Sequence, residues 1–261
     1  MYETNVDQVT LHYDRLGSGE PLVLIHGLGE IKEGWQEQHC LADQFDLIIP
    51  ELRGHGRSTT LDGISIENFA ADILALLDHL NIESATICGL SMGGVVAQEL
   101  YRQAPHRCRA LILVSTFHYA PTLFGRWFYA YKKQRAKHFS AQQQKEFAAK
   151  TCLYSWKKEV VDRFFTFYNP NPEGYLKSLK ACLTVDNRSL LKEVDVPTLV
   201  IGCQYDTLVP AWVQIHMHKL IPKSELIIFK DAGHIAKLEK TKEFNEAVRR
   251  FITKQQLPIS S

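Results

Sequence analysis

Three residues of this chain have the types and the order needed to attack a carbonyl. Ser91 stands in Gly89-Leu90-Ser91-Met92-Gly93-Gly94, directly after the apolar run 86–88 and before a helical pattern over 95–101. A Gly-x-Ser-x-Gly match arises by chance in roughly 0.04 chains of this length and composition, so the bare pattern already carries weight. In a sharp strand-to-helix turn the serine takes unfavourable backbone angles, and glycines two before and two after it keep neighbouring backbone from colliding. The helix that follows aims its first N–H groups at any anion forming on a bound carbonyl. A serine hydroxyl is a poor nucleophile at neutral pH; it needs a base, and the base needs an orienting carboxylate.

His234, in Asp231-Ala232-Gly233-His234, follows the last apolar run, and Asp206, in Gly202-Cys203-Gln204-Tyr205-Asp206, follows the run before it. Two aspartates compete for the histidine. Asp231 is nearer in sequence but begins the same loop, where its side chain is expected to satisfy loop amides in an Asx-type turn. Asp206 approaches from a neighbouring strand end, the direction from which a carboxylate accepts the Nδ1 proton while Nε2 faces Ser91. The expected catalytic set is therefore Ser91, Asp206 and His234. A further element, His26-Gly27-Leu28-Gly29 after the run 22–25, lets backbone approach a ligand closely. The amides of Leu28 and Met92 are the expected oxyanion pair.

Other clusters carry blander readings. His26 is expected to hydrogen-bond its own loop. His216 and His218 diverge on a helix and lack a third partner, so no metal is expected. Arg53-Gly54-His55-Gly56-Arg57-Ser58 suits a tight loop better than a phosphate site. Lys132, Lys133 and Lys137 read as the wet face of a helix. The six cysteines include no C-x-x-C pair and are expected to be free thiols. Nothing calls for a cofactor.

The elements that must position these residues are short strands alternating with helices. Residues 8–16 alternate and then meet the Gly-Ser-Gly-Glu-Pro turn, which predicts a hairpin of the first strands. The runs 22–25, 47–49, 86–88, 111–114, 198–201 and 226–229 are uniformly apolar, as strands buried on both faces require. Phe69, Ile73, Leu76, Leu77 and Leu80 recur at helical spacing after a cap at Ser65, and Phe244, Val248, Phe251 and Ile252 do the same near the C-terminus. The prediction is an α/β fold: a mostly parallel sheet with helices on both faces. Residues 117–191 break the alternation with aromatics, lysines and helical patterning. A helical subdomain inserted into a core of 1–116 and 192–261 is expected, with Trp127 and Phe128 as candidates for the wall of an acyl pocket.

Composition narrows the function. Thirty Lys+Arg against twenty-nine Asp+Glu leave a net charge of +1, which argues against a dedicated nucleic-acid or membrane surface. No run is long enough to span a bilayer, and the first ten residues have neither a basic region nor an apolar core, so a cytoplasmic location is expected.

Taken together, the Gly-rich loop at His26, the loop at Arg53, the turn at Ser91, Asp206 and the segment ending at His234 resemble the α/β-hydrolase superfamily. The likeness is greatest to small bacterial carboxylesterases and 3-oxoadipate enol-lactonases. The resemblance implies an α/β-hydrolase fold with a helical cap. It also implies that Ser91 carries an acyl group, His234 is base and then acid, Asp206 orients it, and Leu28 and Met92 supply oxyanion amides. Relatives with an aspartate at the elbow, the haloalkane dehalogenases and epoxide hydrolases, are excluded by Ser91. The expected activity is hydrolysis of small, largely apolar esters or lactones by a monomer or homodimer. A C–C bond hydrolase, a perhydrolase and a slow-turnover ligand receptor would share the same three residues.

Overall fold

The computed structural model describes residues 2–6 and 9–256. Eight strands form one sheet: β1 (Tyr2–Val6), β2 (Val9–Leu16), β3 (Glu20–Ile25), β4 (Phe45–Pro50), β5 (Ala85–Leu90), β6 (Cys108–Val114), β7 (Thr198–Cys203) and β8 (Ser224–Phe229). Their spatial order is β1-β2-β4-β3-β5-β6-β7-β8. The first two pairings, β1 with β2 and β2 with β4, are antiparallel, and every pairing from β4 to β8 is parallel.

The expected hairpin takes a different form. β2 does not fold back on β3 across the Gly-rich turn; it pairs upstream with β1 and on its other side with β4. Gly17 (φ +82°) and Gly19 (φ +117°) turn the chain while pressed against the backbone of Ala42, Gln44 and Phe45, so the turn serves a crossover. Gln8, the start of the expected strand, lies outside the described residues. β8 is also not central: it is the sheet edge, and all six of its residues are half-buried.

The helices are α1 (Ile66–His79), α2 (Met92–Gln103), α3 (Thr122–His138), α4 (Ala141–Cys152), α5 (Lys158–Phe167), α6 (Pro172–Cys182), α7 (Leu190–Glu193), α8 (Ala211–Leu220), α9 (Ala236–Glu239) and α10 (Thr241–Gln256). Ser65 caps α1, its Oγ accepting the Asn68 N–H at 3.1 Å. Strand alternation divides the core in two. Val23 and Ile25 of β3 face a cluster with Phe69, Ile73, Leu76 and Leu77 of α1 and Val96 and Leu100 of α2. Leu22 and Leu24 face the opposite cluster, with Trp35, Leu41 and the α10 residues Phe244, Val248, Phe251 and Ile252. Both faces of the sheet are thus covered, which is why its central strands read as continuous apolar runs.

Between β6 and β7 the chain forms α3 to α7, with only isolated bridges (Tyr119 to Asp186, Tyr168 to Glu30) and no strand among the described residues. The parallel register brings the ends of β3, β5, β6 and β7 to one edge, Ile25 beside Gly89, Leu90 beside Val114, and Val114 beside Ile201. Loops leaving carboxyl ends of such a sheet converge where ligands of open α/β folds bind.

Candidate active site

Ser91 sits where β5 turns into α2, at φ +54° and ψ −114°. A non-glycine residue pays about 1–3 kcal/mol for such angles and keeps them only when its surroundings over-determine them. Here they do. The Ser91 N–H donates to Val114 O at 2.9 Å, and its carbonyl accepts from Thr116 Oγ1 at 2.6 Å. The flanking glycines are enforced by contact: a Cβ on Gly89 would lie 2.1 Å from Gly93 O, and one on Gly93 would lie 2.4 Å from Ile25 O.

His234 is buried in the loop between β8 and α9, with its N–H donating to Cys152 O at 2.6 Å. Its Nδ1 lies 2.7 Å from Asp206 Oδ2. Asp206 is buried as well, and its other oxygen accepts the N–H groups of Leu208 (2.9 Å) and Val209 (2.8 Å). A carboxylate fixed in this way holds the proton on Nδ1 and leaves Nε2 as the free, basic nitrogen. Burial disfavours the imidazolium, but the charge and hydrogen bond of Asp206, together with the carboxylates of Glu30 and Glu239, outweigh it. The His234 pKa therefore lies above its ordinary value.

Asp231 is exposed, at φ +51°, and makes no side-chain hydrogen bond. The expected Asx-type turn is absent: Asp231 contributes a left-handed backbone turn, which Asp tolerates better than most residues. The loop amides are satisfied instead by Glu239, a residue without any sequence signal. Its carboxylate accepts from Gly233 N at 2.8 Å, Tyr154 N at 2.8 Å and Ser155 N at 2.6 Å.

In the loop after β3, Gly29 (φ +80°) packs against the Tyr168 ring, and Glu30 accepts the Gly27 N–H at 3.3 Å. Glu30 also receives the Lys237 ammonium at 2.9 Å, and both side chains are essentially enclosed. Lys237 donates further to Gly34 O at 2.5 Å and lies 4.3 Å from the Trp35 ring centre. This ion pair ties the loop of Leu28 to the helix after His234, and the sequence reading missed it. His26 donates or accepts at Nδ1 with Gly27 O at 2.8 Å, and its Nε2 accepts the Leu52 N–H at 3.1 Å. Burial pushes its pKa down to about 4, so it is a neutral loop anchor. Arg53 is likewise internal, a bidentate partner of Asp72.

Ser91, His234, Leu28, Met92 and Phe128 share one cavity of about 640 Å³. Neither the Leu28 nor the Met92 amide donates to a protein acceptor among the described residues. Trp127 is not in the cavity wall. It is 62% exposed and stacks on Tyr131 at 5.8 Å, because one residue of helical rotation carries it off the face that Phe128 presents inward. His216 lines the cavity 5.1 Å from the His118 ring, whereas His218 bonds Ser224. No group of three metal-ligating side chains occurs among the described residues. The six cysteines are free thiols; Cys40 alone is exposed.

Residues 20–241 match the family described as alpha/beta hydrolase fold, and the chain belongs to that family. Hydrolase chemistry is what this membership supports. The chain is 29% identical over 253 residues to 3-oxoadipate enol-lactonase 2 of Acinetobacter baylyi, covering 92% of each. It is 28% identical over 247 residues to the dihydrolipoyllysine-residue acetyltransferase component of the acetoin cleaving system of Pseudomonas putida, covering 90% of this chain and 64% of that one. Among solved structures, a thermophilic esterase from Thermogutta terrifontis superposes with a TM-score of 0.89 at 26% identity, covering 98% of this chain and 97% of that one.

Proposed function

We infer that this protein is a serine hydrolase of small, largely apolar carboxylic esters or lactones. The observation that carries the reading is the 2.7 Å bond from His234 to Asp206 in a cavity shared with a strained Ser91. Ser91 Oγ attacks the carbonyl carbon as its proton passes to His234 Nε2. The oxyanion is held by the amides of Leu28 and Met92, which have no other acceptor. The C–O bond to the alcohol breaks, the alcohol leaves with the proton from His234, and an acyl group remains on Ser91. Water, deprotonated by His234, then attacks the acyl carbon and releases the acid. Asp206 keeps the tautomer and stabilises the imidazolium throughout.

The stretch 117–191 acts as a helical cap over a core of 1–116 and 192–261. Its aromatic residues give the acyl group an apolar wall, Phe128 among them. A cavity of about 640 Å³ suits a small ligand and excludes polymers.

The test is turnover of p-nitrophenyl esters of rising acyl length, beside several lactones, by wild type and Ser91→Ala. Wild type should cycle and show an acyl adduct on Ser91 by mass spectrometry. Ser91→Ala, with an unchanged circular dichroism spectrum, should lose on the order of 10⁴- to 10⁶-fold in kcat. Retained turnover by the folded variant would remove Ser91 from the mechanism.

A further inference from the structure

The near-neutral total charge conceals a local imbalance on α3. This helix carries Arg126, Lys132, Lys133, Arg135 and Lys137 and not one acidic residue. It also carries large apolar side chains that pack against nothing: Leu123 is 82% exposed, Trp127 62% and Phe124 53%.

Helical rotation of about 100° per residue sorts these into bands. Leu123, Trp127, Tyr131 and Phe124 fall within an arc of about 100°, and all four are exposed. Lys133, Arg126 and Lys137 fall within about 40° of one another, along one border of that arc. Arg135 borders the other side, its guanidinium 3.4 Å from the Phe147 ring centre. Phe128 and Lys132 lie beyond Arg135 and point inward to the cavity, next to Gly125, which is buried against Leu183. The exposed apolar band is therefore flanked by cations, and no carboxylate lies within ion-pair reach of Arg126, Lys133 or Lys137 among the described residues.

We propose that α3 is a docking surface for an anionic lipid bilayer, its aromatic band entering the headgroup region and its cationic rows meeting lipid phosphates and carboxylates. An aromatic and aliphatic band bordered by Lys and Arg is the pattern of a helix that lies in a membrane interface. A second copy of this chain fits less well, because face-to-face contact would bring two sets of five cations together. Since α3 also lends Phe124 and Phe128 to the cavity wall, docking would set the cavity beside the bilayer.

The experiment measures binding alone, with no substrate present, and so stands or falls apart from the ester reading. The full chain is sedimented with vesicles of phosphatidylcholine, pure or containing roughly one third phosphatidylserine. It should bind the mixed vesicles, show a blue-shifted Trp127 emission that Trp127→Phe removes, and detach in high salt. Lys133→Glu/Lys137→Glu should lower the partition coefficient at least tenfold, roughly, since each basic residue at such a surface contributes severalfold. The neutral pair Lys133→Gln/Lys137→Gln should fall between. Neither pair touches the cavity, so turnover of soluble p-nitrophenyl acetate should stay at the wild-type level and certify the fold. Equal binding to both vesicles, mixed-vesicle binding untouched by both double variants, or no binding would overturn the proposal. So would a wild-type dimer that Leu123→Asp dissociates, or tighter binding to single-stranded RNA than to the mixed vesicles.

Discussion

The two walls of the cavity are built on opposite principles. The sheet-side wall holds Ser91, Asp206 and His234 through buried polar contacts with few degrees of freedom, and behind them Glu30 and Lys237 are locked together out of reach of water. The helical wall, from α3 to α6, is held by stacked aromatics and cation–ring contacts, and much of it faces outward. Chemistry tolerates errors of about half an ångström, so its groups need hydrogen bonds on every side. An acyl pocket needs only apolar area, which many packings supply. The contrast predicts that substitutions in the first wall alter rate and stability, and those in the second alter selectivity.

The largest effect that could break this contrast concerns the histidine's partner. Asp206→Asn should lose on the order of 10⁴-fold in kcat, because an amide no longer fixes the tautomer. Asp231→Asn should change kcat within roughly twofold, since its exposed side chain makes no bond and asparagine accepts the same left-handed backbone. Kinetics of both variants under one set of conditions decide it, and the reverse ranking would dissolve the proposed triad.

Next in size is the buried pair. Lys237→Met leaves Glu30 as an uncompensated enclosed charge and should cost about 3–5 kcal/mol in a urea titration. Adding Glu30→Gln should restore part of that loss. A single variant as stable as wild type would show that the pair is not a clamp on the sheet-side wall.

These residues also mark how far the sequence could be read. Ser91 is legible because strand, turn and helix follow in a few positions, and the glycines around it are demanded by contacts within the same turn. Asp206 is legible because it occupies a strand end. Glu239 and the Glu30–Lys237 pair are not, since each works through residues far away in the chain, and nothing local separates them from surface charges. Trp127 fails for a related reason: composition places it in the right helix, but only packing decides which side of α3 faces inward. The first hairpin was misjudged because a glycine-rich turn has the same composition whether the strands it joins pair or diverge.

A smaller effect lies in the pH profile. His234 must be neutral to accept the Ser91 proton, so kcat/KM should rise with pH as the imidazolium deprotonates. Because Asp206, Glu30 and Glu239 hold its pKa above the ordinary value despite burial, the rising limb should fall above pH 6.5. A limb below that value would mean that the carboxylates do not outweigh burial.

The smallest effect sharpens the comparison on the helical side. Selectivity should climb by about 0.8 kcal/mol per methylene over short acyl chains and then collapse when the pocket is full. Phe128→Ala should move that limit to longer chains, and Trp127→Ala should leave it in place. A shared response, measured on the ester series, would mean that the two sides of α3 are not distinct.

The bonds that fix His234 have a mechanical consequence. Cys152, Tyr154 and Ser155, in the link between α4 and α5, are stitched to the loop and helix around the histidine, and Thr151 O accepts from Thr207 Oγ1 at 2.8 Å beside Asp206. That stretch of the helical layer moves as one body with the base and its carboxylate. Swinging it outward would dismantle the relay it covers. Whatever breathing admits a substrate and releases an acid must therefore be taken up on the opposite flank, by α3 and its turns, leaving the α4–α5 link as the fixed side of a one-sided door.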